Sequence, residues 1–319
     1  MGRYIVKRLI AMIPVVFVIT LVVFAIVYLT PGGPAASMLG LEASADELAA
    51  MNERLGYNKP FAEQYLIWLN GLLHGDLGTS IFMNQPVSQS IAEHFIPSLT
   101  LAFWAELLAI AVALPLGTLA AVKRGSKLDG FLRVTSLVGV AIPGFLMALL
   151  LMMVLAEQLR ILPVAGWQPL SKGIARHARY LVMPVLALAA PQSALLFRMT
   201  RSSMIEALSL PCVKAARAKG MSEASVLVKY ALRNAAAPIV TSIGYSFGAL
   251  LTGVVVIEII FNIPGFGQLV TSSIQRRDYP VIHGVLLVVA LIYSLVNLAV
   301  DLICGAIDKR TRIWERSDG

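Results

Sequence analysis

The run SLTLAFWAELLAIAVALPLGTLAAV, residues Ser98–Val122, holds one charged side chain, Glu106, in 25 positions. A helix needs about 20 mostly apolar residues to cross the hydrocarbon core of a bilayer. Hydrocarbon offers the peptide groups no hydrogen-bond partners, so such a run must satisfy its own backbone as a helix. Residues Ser98–Val122 therefore predict a transmembrane helix.

The rest of the chain repeats this pattern. Of its 319 residues, 58% are apolar and only 14% are charged, whereas a soluble domain has about 25% charged residues. A water-soluble globule is excluded, and an all-α polytopic membrane protein is predicted. The first apolar run exceeds the roughly 7–15 residues of a signal-peptide core, so we expect a retained anchor. Six transmembrane helices are predicted, at about 9–30, 98–122, 131–155, 180–197, 235–261 and 281–307.

The distribution of Lys and Arg orients these helices. Eighteen of the 26 basic residues fall in loops on one side of the membrane. Because cytoplasmic loops are the basic ones, both termini are predicted to be cytoplasmic, with an outer region at 32–97 and a long cytoplasmic loop at 198–234. Residues 1–319 then form a single transmembrane domain. These loops facing anionic lipid explain the net charge of +8 without a nucleic-acid partner.

The long cytoplasmic loop is patterned as two short helices. Pro211 suits the first position of a helix, and Gly220 suits the left-handed residue that ends one. Ser222 can cap a second helix. Small residues with flanking cations suit a helix that docks into a groove on a partner; the alternative is a solvated loop that touches only lipid head groups. The candidate coupling residues are Pro211, Val213, Lys214, Ala215, Ala216, Arg217, Ala218, Lys219 and Gly220.

Three acids lie within apolar runs. A charge at the centre of a bilayer costs about 2.5–3.5 kcal/mol on insertion scales, so these side chains should face protein, water or the interface. Glu106 and Glu258 are candidates for the translocation path or its gate, with structural pairing as the alternative. Asp301, near the cytoplasmic end of its run, is expected at the interface or paired with a loop cation.

The fifth run carries Gly244 and Gly248 four residues apart, a spacing that lets two membrane helices approach closely. Packing within the chain and packing against a second subunit both remain open. Neither the two cysteines nor the four scattered histidines show the spacing of a metal site, so no metal site is predicted. Prolines occur in five of the six runs, which is either ordinary membrane-helix composition or a set of bent, moving helices.

Two helices are predicted in the outer region. Ser44 and Glu47 form a capping-box pattern ahead of Leu48–Leu55. The run Phe61–Leu72 has a broad apolar face suited to the membrane surface. This region is either a packed cap over the ends of the spans or a platform for another protein.

Several motifs together carry a resemblance. The stretch KAARAKGMS, Lys214–Ser222, followed by Ala231–Pro238, resembles the EAA loop of binding-protein-dependent ABC importer permeases. Other segments are similar to signatures of the dipeptide/oligopeptide/nickel permease family: Tyr4–Leu9, Leu29–Pro34, Gly75–Ser80, Arg198–Met204, Pro264–Gly267 and Arg277–Pro280. The chain departs from the family where Pro211-Cys212 replaces the usual Asp-Tyr, where Gly33 replaces an acid, and at Asp308–Arg312.

The resemblance implies the type I ABC importer permease architecture in a bacterial inner membrane. It also implies a non-catalytic subunit that forms the path for di- or oligopeptides. The implied partners are a second permease, two cytoplasmic ATPases and an extracytoplasmic binding protein. The chain has no GxxxxGK[ST] phosphate loop, so no cofactor is expected on it and ATP is used by the partners.

Two further readings stay open. The same importer class also carries nickel or other small solutes. An ion-driven secondary transporter would be expected to show inverted repeats with intramembrane charges, which the sequence lacks. The patterned cytoplasmic loop disfavours a purely structural scaffold.

Overall fold

The computed structural model describes residues 2–29, 34–40 and 43–307, and their regular elements are helices apart from one isolated bridge between Thr79 and Pro86. The helices are α1 (Gly2–Tyr28), α2 (Pro34–Leu39), α3 (Ala45–Leu55), α4 (Phe61–Leu73), α5 (Val87–Val122), α6 (Lys127–Ala141), α7 (Gly144–Leu151), α8 (Ile174–Ser209), α9 (Pro211–Ala218), α10 (Glu223–Val226), α11 (Arg233–Ile260), α12 (Phe266–Arg276) and α13 (Tyr279–Ile307). Two π-helical segments, Met152–Gln158 and Leu227–Leu232, continue α7 and α10. A single 3-10 turn covers Leu170–Lys172.

Four described helices are long and apolar enough to cross a membrane: Val87–Val122, Ile174–Ser209, Glu223–Ile260 and Tyr279–Ile307. They contain the second, fourth and sixth predicted spans, and the fifth except for its last residue. The first two have 36 residues each, a length of about 54 Å at 1.5 Å per residue. The hydrocarbon core is only about 30 Å thick, so these helices extend well beyond the lengths that hydrophobicity alone predicted.

The first predicted span is helical over Gly2–Tyr28, and its described apolar stretch is Ile10–Ile26. The predicted boundary at residue 30, the motif residues 30–33 and residues 308–312 lie outside the described part of the chain.

The prediction of one helix over residues 131–155 is wrong. Lys127–Ala141 and Gly144–Gln158 meet at an angle of 96°. Pro143 lacks an amide hydrogen, and its ring disfavours the helical conformation of the preceding residue. Ile142 is accordingly extended, at φ −87° and ψ 114°. Pro184, Pro191 and Pro238 stay inside their helices, so a proline alone did not predict the break.

The chain divides into two compact units. The first comprises residues 1–98 and 264–294, and the second comprises residues 99–263 and 295–319. The division passes through α5 and α13, so each of these helices contributes to both units.

A stripe of small residues on α5 builds the core of the second unit. Ala105, Ala109 and Ala113 are fully buried, at successive four-residue spacings. Gly117 continues the stripe, and a Cβ atom placed there would lie only 2.8 Å from the Cβ of Thr200 on α8. Small residues let helix backbones approach closely in a membrane protein, so this stripe positions α8 against α5.

Aromatic rings hold the first unit together. The rings of Phe24 and His283 stack with centroids 4.9 Å apart, which joins α1 to α13. Tyr65 of α4 is buried against Phe24, and its hydroxyl lies 2.9 Å from Thr20 Oγ1. Helix α4, predicted at Phe61–Leu72, thus packs one side along α1, while Leu66 remains exposed.

The predicted capping box is confirmed at the start of α3. The Ser44 amide donates to Glu47 Oε2 at 2.9 Å, and the Glu47 amide donates to Ser44 Oγ at 3.3 Å. These bonds hold the pKa of the Glu47 carboxyl below its ordinary value.

Candidate functional site

The candidate coupling loop forms the two short helices that the sequence predicted. Helix α9 begins at Pro211 after the extended residue Leu210. Gly220 ends the segment in the left-handed conformation, at φ +74°. Ser222 caps the second helix by accepting a hydrogen bond from the Ser225 amide at 3.4 Å. The loop therefore has a fixed local shape.

The two faces of α9 have different surroundings. Val213 and Ala216 are buried in a cluster of the second unit that includes Met204 and Val226. Ala216, one of the small residues expected to face a partner, instead packs its methyl group inside this unit. The remaining candidate residues are exposed: Pro211, Lys214, Ala215, Arg217, Ala218, Lys219 and Gly220.

An ion pair braces the exposed face. The Arg217 guanidinium donates to both carboxylate oxygens of Glu223, at 2.9 and 3.1 Å. A bidentate pair restrains both side chains more than a single contact does. It links α9 to α10 across the Gly220 turn, so the two short helices are held as one element.

A largely buried ion pair, called the clasp below, holds the carboxy-terminal part of α8 to the start of α6. Arg201 donates to the two oxygens of Asp129 at 2.7 and 2.8 Å, and the amide of Gly125 donates to Asp129 at 3.0 Å. Asp129 is 1% exposed and Arg201 19%. In the sequence, Arg201 is only one of the basic residues of a long loop. The one sequence signal for this pair was Asp129, an acid three residues after Ser126 at the start of a helix.

Glu106 lies in a polar cluster of the second unit. Its Oε2 atom accepts from the Ser246 hydroxyl at 2.9 Å, and that hydroxyl also lies 3.1 Å from Gln192 Oε1. Glu106 is 6% exposed, and its Oε1 atom is buried without a hydrogen-bond partner. Helices α5, α8 and α11 each contribute one member of this cluster.

The structure does not bring the two candidate path acids together. Glu258 is fully buried near the end of α11, twelve residues after the Ser246 that contacts Glu106. Twelve residues of helix span about 18 Å. Asp301, the third intramembrane acid, is half-buried in α13.

Gly244 provides a close contact within the chain. A Cβ atom at this position would lie 2.7 Å from Cγ2 of Val300, so the hydrogen of glycine allows α11 and α13 to touch. Gly248 lies half-buried one helical turn further along α11. The sequence left open whether Gly244 and Gly248 pack within the chain or against a second subunit. For Gly244, the contact lies within the chain.

Two signature motifs of the first unit bind each other. The Ser80 hydroxyl donates to Asp278 at 2.5 Å, and the Ile81 amide donates to the same carboxylate at 3.2 Å. Burial and the neighbouring Asp278 raise the pKa of Tyr57 above its ordinary range. The motifs at Gly75–Ser80 and Arg277–Pro280 therefore stabilise each other through hydrogen bonds. The sequence did not predict this structural role.

Within residues 2–29, 34–40 and 43–307, no group of three or more His, Cys, Asp or Glu side chains could hold a metal ion. The described polar clusters are instead ion pairs and hydrogen bonds between helices.

Comparison with known proteins covers nearly the whole chain. Residues 113–313 match the binding-protein-dependent transport system inner membrane component, and residues 1–102 match the amino-terminal part of such membrane components. The probable peptide ABC transporter permease protein y4tP of Sinorhizobium fredii is 38% identical over 312 residues, 98% of this chain and 100% of the relative. The glutathione transport system permease protein GsiC of Escherichia coli K12 is 36% identical over 315 residues, 98% and 99% of the two chains.

A solved structure shares the fold. An inward-facing form of the MetNI methionine ABC transporter aligns with a TM-score of 0.54 at 16% identity, covering 69% of this chain and 97% of that chain. Together with the family matches and the apolar helices, this places the chain among the multi-pass ABC transporter permeases. The chain belongs to the family of binding-protein-dependent transport system inner membrane components.

Proposed function

We propose that this chain forms half of the translocation path of an ABC importer for short peptides, including glutathione-like tripeptides. Its partners are a second permease, two cytoplasmic ATPases and an extracytoplasmic binding protein that delivers the substrate. The peptide class is supported by relatives 36–38% identical over 98% of the chain that are named for peptide and glutathione transport.

The proposed topology has six spans with both termini in the cytoplasm. The bent pair Lys127–Ala141 and Gly144–Gln158 is the third span, and α1 is the first. The excess of Lys and Arg on one side supports this orientation. Residues 198–234 then face the cytoplasm, and residues 32–97 face outward.

The observation that carries the coupling role is the two-faced helix α9. Val213 and Ala216 anchor one face in the permease core, while the other face presents cations and small side chains to solvent. A short helix held in this way can dock into a groove on a partner. We assign the exposed face of Pro211–Gly220 to contact with an ATPase.

A rigid connection to the spans is needed for this role. Moving a two-state gate from 1:99 to 99:1 takes about 5.5 kcal/mol of differential stabilisation. Helix α9 follows α8 after one residue, Leu210, and the Asp129–Arg201 clasp ties α8 to α6. Motion of α9 would thus reach the bent third span through buried contacts. Glu106 and Glu258 are both buried, and Glu106 accepts from Ser246, so for Glu106 these contacts support the structural-pairing alternative over a direct contact with the path.

The test is reconstitution in liposomes. The chain together with its partner permease, ATPases and binding protein should accumulate a labelled dipeptide or glutathione only when ATP is supplied. The chain alone should leave the label at equilibrium. Uphill uptake by the chain alone would overturn the proposal, and ATP-driven uptake of nickel without peptide uptake would overturn the peptide class.

A further inference from the structure

A basic cavity lies beside the coupling loop in the second unit. Its volume is about 340 Å³. It is lined by Cys212, Lys229, Tyr230, Arg233, Asn234, Ala237 and Ile307. These residues come from α9, the Leu227–Leu232 segment, α11 and the end of α13, so the cavity lies where two candidate spans leave the bilayer.

The cavity concentrates positive charge. Lys229 and Arg233 are four residues apart, and both line it, whereas none of its lining residues is acidic. Within the described part of the chain, no carboxylate pairs with either cation. The Asn234 amide is fixed by donating to the Tyr230 carbonyl at 2.7 Å. Two unpaired cations in one concave site attract an anion that can contact both.

We propose that this cavity binds a phosphate-bearing anion, supplied by the head group of an anionic phospholipid. Basic pockets between membrane helices on the cytoplasmic side bind such head groups. Ala237 and Ile307 give the cavity an apolar side on α11 and α13, beside which an acyl chain can lie. In the proposed orientation the cavity lies beside the cytoplasmic leaflet, which carries anionic lipids.

The chain's own final segment is a poorer occupant. Residues 308–319 carry four basic and three acidic side chains, so their charge does not complement a basic cavity. Because Cys212 of α9 lines the cavity together with α11 and α13 residues, a bound head group would join the coupling helix to two spans. The assignment of the cavity to a lipid head group rests on the proposed membrane orientation of the chain. It does not depend on which substrate is transported.

The experiment measures binding to the purified full chain in detergent. The probes are short-chain phosphatidylglycerol, short-chain phosphatidylcholine and inorganic phosphate. The test variant is Lys229→Gln with Arg233→Gln, and the matched control is Lys123→Gln with Arg124→Gln, an exposed Lys–Arg pair on the same proposed side of the membrane. At about a factor of five per cation near the membrane surface, the test variant should bind phosphatidylglycerol roughly 30-fold more weakly.

Phosphatidylglycerol should bind the wild type and the control variant equally, and phosphatidylcholine should bind more weakly. Retention of binding by Lys229→Arg with Arg233→Lys shows that charge, and not a folding defect, accounts for the loss. Equal binding of both lipids, or full binding by the test variant, overturns the proposal. Binding of inorganic phosphate without binding of phosphatidylglycerol overturns the lipid source. Absence of peptide transport would leave this binding result unchanged.

Discussion

At the scale of single residues, the Ser246 hydroxyl donates a hydrogen bond to the buried carboxylate of Glu106. Leaving a buried acceptor without its donor costs about 1–3 kcal/mol, and Glu106 already has one oxygen without a partner. Ser246 therefore compensates part of the cost of placing an acid inside the helix bundle. This contact joins α5 to α11.

Ser246→Ala should lower the stability of the permease by about 1–3 kcal/mol, because Glu106 Oε2 loses its donor. The matched control is Ser242→Ala, which removes a buried hydroxyl that donates only to the Pro238 carbonyl of its own helix. Thermal unfolding in detergent measures both variants. Equal melting temperatures for the two would show that the contact between helices adds no stability.

The Asp129–Arg201 clasp is the other contact that depends on individual atoms. Asp129→Asn keeps an acceptor for the Gly125 amide but removes the charge that Arg201 faces. Breaking one side of a buried ion pair costs about 3 kcal/mol or more, so the melting temperature should fall and the ratio of transported peptide to hydrolysed ATP should drop.

Arg133 provides the control for this prediction. It lies 3.7 Å from the same carboxylate but is 57% exposed, and exposed pairs contribute about 0–1 kcal/mol. Arg133→Gln should therefore change the melting temperature and the ratio of transported peptide to hydrolysed ATP only slightly. If Arg133→Gln lowered the melting temperature as much as Asp129→Asn does, total charge and not the Asp129–Arg201 clasp would determine stability.

At the scale of elements, α9 and the turn after it form the proposed contact with the ATPase. Gly220 has open space around its Cα atom and φ +74°. A Cβ atom there would meet no described atom within 4 Å, so its cost inside the permease is the strain of the left-handed conformation, about 1–2 kcal/mol.

Gly220→Trp should abolish ATP-dependent uptake and binding of the ATPases while the permease still inserts into the membrane. The control is Gly56→Trp at the end of α3, where φ is +75° and the space is equally open. The backbone strain is thus matched, but the proposed location is the outer region. Co-purification of the ATPases measures the difference, and equal association in both variants would refute docking at the Gly220 turn.

The bend in the predicted third span fits the interpretation that prolines bend the helices, but the sequence did not show which proline would do so. Residues 131–155 are mostly apolar, with Arg133 as their one charged side chain, so hydrophobicity indicates a single helix. The extended conformation of Ile142 before Pro143 divides it. In α8 and α11, prolines lie inside continuous helices, because neighbouring helices and local adjustments can satisfy the freed carbonyl groups.

At the scale of the whole molecule, the proposed orientation places α9 in the cytoplasm and α3 outside. Cys212 is exposed on α9, and Glu53 is exposed on α3. Both positions are therefore accessible to a reagent in the surrounding water.

With Cys304 replaced by Ala, Cys212 should react with a membrane-impermeant maleimide in inside-out vesicles and not in intact spheroplasts. In a Cys212→Ser background, Glu53→Cys should show the opposite pattern. Labelling from the same side at both positions would refute the six-span topology with both termini inside. Labelling after detergent treatment provides the positive control for each cysteine.

The sequence by itself determined the membrane class, the approximate position of the spans, the helix–turn–helix form of the coupling loop and the capping box of α3. These features depend on local chemistry: hydrophobic length, the fixed φ of Pro211, the conformational freedom of Gly220 and the capping side chain of Ser44. The capping and turn features at Ser44, Pro211 and Gly220 each depend on residues within one or two helical turns.

Only the tertiary structure decided which face of α9 is buried, which acid pairs with Arg201, and that the Ser80 and Asp278 motifs bind each other. The partners in these contacts are separated by 72 residues for Asp129 and Arg201 and by 198 residues for Ser80 and Asp278. A single sequence gives the helical period of each segment but not which neighbour it meets. That choice follows from the packing of small residues such as Ala105 and Gly117 between helices, which is a property of the folded chain.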